Sequence, residues 1–148
     1  MQGVNDRKGM LPIRFGTDGW RAKNGPGINR SRVCNVAAAL AEYCKRNYRQ
    51  PSCVVGYDGR RDSAEFAAVF SAVLQGSGVY TVLSDAVIPT PCISFYTKKH
   101  GFSAGVMITA SHNPPEYNGI KFKGPYGGPY MNDMTREVEQ LLGETAYY

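Results

Sequence analysis

Three short segments of this 148-residue chain gather groups suited to phosphoryl chemistry: Phe15-Gly16-Thr17-Asp18-Gly19-Trp20-Arg21, Gly56-Tyr57-Asp58-Gly59-Arg60-Arg61-Asp62-Ser63 and Thr109-Ala110-Ser111-His112-Asn113-Pro114-Pro115. In the third, a hydroxyl, an imidazole and an amide follow an apolar run, and two prolines stiffen the loop because proline fixes φ. Pro114-Pro115 and Asn118-Gly119 mark turns on either side of Tyr117, after which Lys121 emerges from the next apolar run and can point back toward Ser111. A phosphoryl group on a serine carries roughly −1.5 to −2 charge near neutral pH and calls for cations and backbone N–H donors. Lys121, Arg21 and His112 are the candidates for the cationic part. Taken singly, each residue has a plainer reading: loop serines cap turns, edge-strand lysines are solvated and surface arginines pair with acids.

Other chemistries fit less well. No G-x-S-x-G elbow surrounds Ser111, and adjacent Ser111 and His112 diverge on an extended backbone, which argues against a serine hydrolase. The stretch 124–128 lacks the G-x-x-x-x-G-K-[ST] pattern, and no G-x-G-x-x-G precedes a helix, so no nucleotide site is expected. Cys34, Cys44, Cys53 and Cys92 form no C-x-x-C pair, and His100 and His112 have no zinc-site spacing relative to them; buried, reduced thiols are expected. The net charge of +5 favours anionic partners, but the basic residues are scattered, which suits small sugar phosphates better than nucleic acid. Residues 1–11 hold no apolar run of signal-peptide length and no stretch approaches a membrane span, so a cytoplasmic location away from membranes is the expectation.

The elements that must position these groups are legible from periodicity. With 43% hydrophobic and 20% charged residues, the chain has the composition and length of one folded domain. Asn29 and Ser31 are candidate caps for a helix to about Asn47, with Val33, Val36, Ala37, Leu40 and Cys44 on one face. Residues 52–57 read as a strand, and Asp62 with Glu65 forms a capping-box pattern before a second helix whose apolar face is Phe66, Val69, Phe70, Val73 and Leu74. Residues 79–83 read as a strand, Thr90 and Pro91 as the cap and first residue of a helix ending near Gly101, 104–108 as a buried strand and 118–123 as another. A last helix carries Val138, Leu141 and Leu142. The alternation predicts a three-layer α/β/α domain, with helices on both faces of a mostly parallel, mixed sheet of about four strands. In such sheets, loops at the carboxyl ends of strands hold ligands.

The run Thr109-Ala110-Ser111-His112-Asn113-Pro114 together with Asn118-Gly119-Ile120-Lys121 resembles the active-serine signature of the α-D-phosphohexomutases, the phosphoglucomutase/phosphomannomutase family. In that family's order, 15–21 resembles its N-terminal arginine motif, 56–60 its second-strand loop, and Thr90-Pro91 the start of a family helix. The likeness runs from about Ile13 to Leu142, so 1–12 reads as an N-terminal tail and 13–148 as the first, serine-bearing domain. The resemblance implies Ser111 as phosphoryl carrier, Lys121 as general acid/base, and Arg21 and His112 as groups that position or stabilise the phosphoryl group. It implies phosphate or substrate binding for Asn113, Asn118, Thr17 and Arg60, with Arg60 the weakest and closer to a support of the loop.

The implied reaction moves a phosphoryl group between C1 and C6 of a hexose through a hexose 1,6-bisphosphate, with glucose 1,6-bisphosphate as activator. A lysine base in such a site calls for burial or neighbouring cations. The family's Mg²⁺ is held by a phosphoserine oxygen, here on Ser111, and by aspartates of a D-G-D-x-D-R loop in a second domain; no such run occurs here. Members are usually about three times this long, far beyond the size of one domain. Metal-binding, sugar-binding and distal phosphate-binding domains are therefore expected to be missing, with little turnover by this domain alone. Expected partners are hexose phosphates and those missing domains, or a second copy meeting an exposed interface. The competing expectation is a non-catalytic, stand-alone module that uses the loop to hold an anion or a partner; the joint presence of Ser111, Lys121 and Arg21 argues against it.

Overall fold

Apolar β-rich runs stack into the middle of the molecule, and the helices cover them from both sides. The computed structural model describes residues 12–16 and 18–144; Thr17 and all of the expected tail except Pro12 lie outside the described residues. The elements in chain order are β1 (Trp20–Lys23), α1 (Arg30–Asn47), β2 (Ser52–Tyr57), α2 (Ser63–Gly76), β3 (Tyr80–Leu83), α3 (Thr90–Lys99), β4 (Ala104–Ile108), β5 (Tyr117–Lys123) and α4 (Asn132–Glu144). The strands form one sheet in the order β1-β5-β4-β2-β3. β2 pairs in parallel with β3 and β4, while β5 runs antiparallel to β4 and β1.

The α/β/α layering and the mixed sheet are as expected, but the sheet has five strands where about four were anticipated. The added strand is β1, four residues that begin at the end of the 15–21 segment, where no strand was expected. So short a run has no legible alternation; pairing of Trp20 with Ile120 and Lys23 with Tyr117 makes it a strand.

On one face of the sheet, α1, α2 and α4 bury Val36, Leu40, Phe70, Leu74 and Val138 against Val55, Val106 and Ile120. On the other face, Ile93 of α3 packs with Val54, Phe102 and Met107. All five residues of β4 are buried, as a central strand covered on both sides requires.

The helix starts separate two cases. Asn29 caps α1 as expected, its side chain accepting the Arg32 N–H at 3.0 Å. Asp62 does not close a capping box: it has φ 68 and makes no side-chain cap hydrogen bond. It serves instead in the tight turn out of β2, where the Ser63 N–H bonds to the Arg60 carbonyl at 3.2 Å. At α3 the cap position falls on Pro89, and Thr90 is already helical.

No helix among the described residues is long and apolar enough to cross a membrane. The four cysteines are free, with Cys34, Cys44 and Cys53 buried and Cys92 half-buried. Burial pushes the Cys44 thiol up to about 12 and Cys53 well above the usual thiol range. N-ethylmaleimide at pH 8 is therefore expected to modify Cys92 first and to spare Cys44 and Cys53 until the chain is unfolded, as read by peptide mass. Phe70 is completely buried. Phe70→Ala is expected to lower stability by about 3–5 kcal/mol, seen as a lower urea midpoint with little change in slope.

Candidate functional site

β4 delivers the serine loop. Beyond its last residue, the Thr109 N–H still bonds to the Gly119 carbonyl at 3.0 Å, extending the ladder with β5 by one rung before the chain turns away. Ser111 then adopts φ 53, the left-handed region, which costs a non-glycine residue roughly 1–2 kcal/mol. Its N–H is held by Thr109 Oγ1 at 3.0 Å, and that hydroxyl donates to Asp58 Oδ2 at 2.7 Å. Asp58 Oδ1 accepts the Arg60 N–H at 3.0 Å and the Ser63 hydroxyl at 2.7 Å. Asn118, fully buried, donates to Ser63 Oγ at 2.9 Å and accepts the Gly119 N–H at 2.8 Å. One hydrogen-bonded chain thus joins the serine loop, the loop after β2, the start of α2 and β5.

Arg60 completes the loop from beneath. Its guanidinium donates to the carbonyls of Ser111 (2.7 Å), Asn113 (2.6 Å), Pro114 (2.8 Å) and Tyr117 (3.1 Å), while Nε stands 3.4 Å from Asp58. A planar cation with five donors can gather several carbonyls in this way; an ammonium cannot. With the carbonyls drawn inward, the side chains of Ser111 and His112 are exposed.

β5 supplies the cations. Ile120 and Phe122 enter the main core, so the alternation of the strand sends Lys121 and Lys123 to the opposite face. Both are buried, and both reach Asp18: Lys121 Nζ is 3.5 Å from Oδ2 and Lys123 Nζ is 3.4 Å from Oδ1. Asp18 rides on a turn closed by the Gly16 N–H bonding to the Gly19 carbonyl at 3.0 Å. Gly19 has φ 103, and a Cβ there would lie 2.9 Å from Lys121 Cγ, so only glycine lets the turn press on the lysine stem.

Arg21 of β1 pairs with Gly119 and so projects on the same side of the sheet as Lys121. It is exposed and lines an open cleft of about 610 Å³ with Arg14, Lys23 and Tyr117.

The structure therefore brings Ser111, His112 and Asn113 together on one loop, with Arg21 and Lys121 on the adjoining sheet face. Arg60 and Asn118 spend their side chains on the protein itself. Thr17 lies outside the described residues. Asn113 Oδ1 is buried without a hydrogen-bond partner among the described residues. Sequence reasoning gave no site role to Asp18, Asp58, Thr109, Ser63 or Lys123. A usable signal was present in Lys121-Phe122-Lys123: two lysines on one face of an otherwise apolar strand call for a carboxylate.

Mg²⁺ requires a near-octahedral set of oxygens. The Asp58 carboxylate is committed to Thr109, Ser63 and Arg60, and Asp18 to two lysines. The described residues contain no group of three or more His, Cys, Asp or Glu placed to hold a metal ion. The described residues do not make up a complete Mg²⁺ site.

A three-layer α/β/α domain with a serine loop at the carboxyl end of a central strand is the class that fold and site define. Residues 12–148 match the family model for phosphoglucomutase/phosphomannomutase, alpha/beta/alpha domain I, and the chain belongs to that family. A phosphoglucomutase of Staphylococcus haemolyticus is 40% identical over 133 residues, covering 88% of this chain and 24% of the relative. A phosphoglucosamine mutase of Deinococcus radiodurans is 41% identical over 133 residues, covering 89% and 30%. A crystal structure from Thermus thermophilus, assigned as a phosphomannomutase, is 36% identical with a TM-score of 0.88, covering 93% of this chain and 31% of that one. The chain spans about a quarter to a third of the length of these relatives.

Arg60→Ala is expected to speed amide hydrogen exchange across 109–117 by about tenfold or more while leaving α1 little changed. Arg60→Lys is expected not to restore protection, because one ammonium cannot serve four carbonyls.

Proposed function

We propose that this chain is the serine-bearing domain of a phosphohexomutase, in which Ser111 carries a phosphoryl group between the two ends of a hexose phosphate. The observation that supports it most is the presentation of Ser111: exposed, in a left-handed conformation, on a loop curled around Arg60 and tied to Asp58.

Phosphoryl transfer asks a protein chiefly for alignment and charge stabilisation. When a sugar hydroxyl takes the phosphoryl group from Ser111, a sugar O–P bond forms and the Oγ–P bond breaks. Lys121 gives a proton to the departing Oγ and takes the proton of the attacking hydroxyl, so that it begins and ends the step as the ammonium. Running the same step backwards from the other end of the bisphosphate returns the phosphoryl group to Ser111. Arg21 and His112 stabilise the transferring charge, and Thr17 and Asn113 are candidate phosphate contacts. Arg60 and Asn118 act through the loop they hold.

In this reading the remaining ligands of Mg²⁺, the groups that read the sugar and the distal phosphate site belong to further domains, and glucose 1,6-bisphosphate primes the serine. A cytoplasmic setting, where thiols stay reduced, accords with free Cys34, Cys44, Cys53 and Cys92.

The test is the intact mass of the chain before and after incubation with glucose 1,6-bisphosphate and Mg²⁺, alone and with the remaining domains of a relative supplied in trans. One added phosphoryl group is expected, absent in Ser111→Ala, with the loading rate in Lys121→Met lower by about 100-fold or more. No added mass under either condition overturns the reading.

A further inference from the structure

Lys121 and Lys123 share a single carboxylate, and they share it unequally. Lys123 Nζ donates to both oxygens of Asp18, at 3.4 and 3.5 Å, whereas Lys121 Nζ stands 3.5 Å from Oδ2 as an ion pair. The lysine side chains are only 10% and 6% exposed, and Asp18 is itself two-thirds covered at 32%. Charges this far from water persist when paired, and stripping one of its partner is costly.

We infer that Asp18 is the resting counter-ion of Lys121 and that Lys123 is the cation that lets Lys121 leave it when a phosphoryl group arrives, a role that rests on the phosphohexomutase reading of Lys121. The cluster holds two ammonium groups and one carboxylate, so one positive charge is left over for an anion. A phosphoryl group carrying roughly −1.5 to −2 charge outcompetes half of one carboxylate. Lys121 then turns to the phosphoryl oxygens, and Asp18 stays neutralised by Lys123. Without Lys123, the same movement would leave a partly buried carboxylate unpaired and would be opposed by that penalty. The Gly16–Gly19 turn runs close beside the Lys121 stem, since a Cβ on Gly19 would fall 2.9 Å from Lys121 Cγ. Asp18 and Lys123 are positioning residues that act through Lys121.

The arrangement is testable on the full 148-residue chain by following the side-chain ammonium ¹⁵N signals during titration with inorganic phosphate. Phosphate is expected to move the Lys121 signal and to leave that of Lys123 in place. Asp18→Asn is expected to raise phosphate affinity about five- to tenfold and Lys123→Met to lower it by a similar factor, with Asp18→Glu close to the native value. The decisive comparison is Lys123→Met in the Asp18→Asn background. Counter-ion exchange predicts no further loss there, whereas a general field effect of Lys123 costs the same in both backgrounds. Phosphate that moves neither lysine or both alike, or a Lys123→Met loss independent of Asp18, overturns the inference. Should the signals behave as expected while Ser111 never accepts a phosphoryl group, the mutase reading fails and the counter-ion exchange stands.

Discussion

The serine loop has no regular secondary structure, and its shape depends on one contact: the Arg60 guanidinium against the carbonyls of Ser111, Asn113, Pro114 and Tyr117. A loop of this length would ordinarily satisfy its carbonyls with water and sample many conformations. Turning four of them onto one cation selects a single curvature and faces the side chains outward. The same contact offsets the local cost of a left-handed Ser111, which the Thr109–Asp58 hydrogen bond also holds. Asp58 in turn keeps Arg60 in place at 3.4 Å and anchors the start of α2 through Ser63.

β5 is the second constraint. It lies between β1 and β4 and is antiparallel to both, so its register decides which side chains face which layer. Ile120 and Phe122 are claimed by the main core, and a slip of one residue would send both lysines into it. Burial of two apolar residues therefore aims two cations. The segment that brings Asp18 to them is tied down separately: Phe15 stacks on Phe122 at 4.7 Å, and its N–H bonds to Glu139 of α4 at 2.6 Å.

These two constraints divide the labour of the proposed chemistry. The loop built on Arg60 presents the nucleophile, while the β1–β5 side of the sheet presents Arg21 and Lys121. Relatives that match this domain carry different names, a phosphoglucomutase and a phosphoglucosamine mutase among them.

Much of this was legible in the sequence because it is local. Periodicities of 3.6 and 2 report which residues seek the core, so α1, β2, α2 and β4 could be located from Val36, Leu40, Val55, Phe70 and Val106 alone. The loop motifs around Arg21, Arg60 and Ser111 are contiguous strings, and family membership follows from them. β1 escaped because four residues carry no period and a strand exists only by pairing with β5. Asp62 was misread as a capping-box residue because the turn before α2 decides where its carboxylate points. Asp18 against Lys121 and Lys123, and Arg60 against 111–117, join residues 103 to 105 and 51 to 57 positions apart. Sequence by itself determined which groups are present and which surfaces must be buried; only the tertiary structure decided which charge meets which, because charge pairing depends on distances in space that periodicity along a chain does not encode.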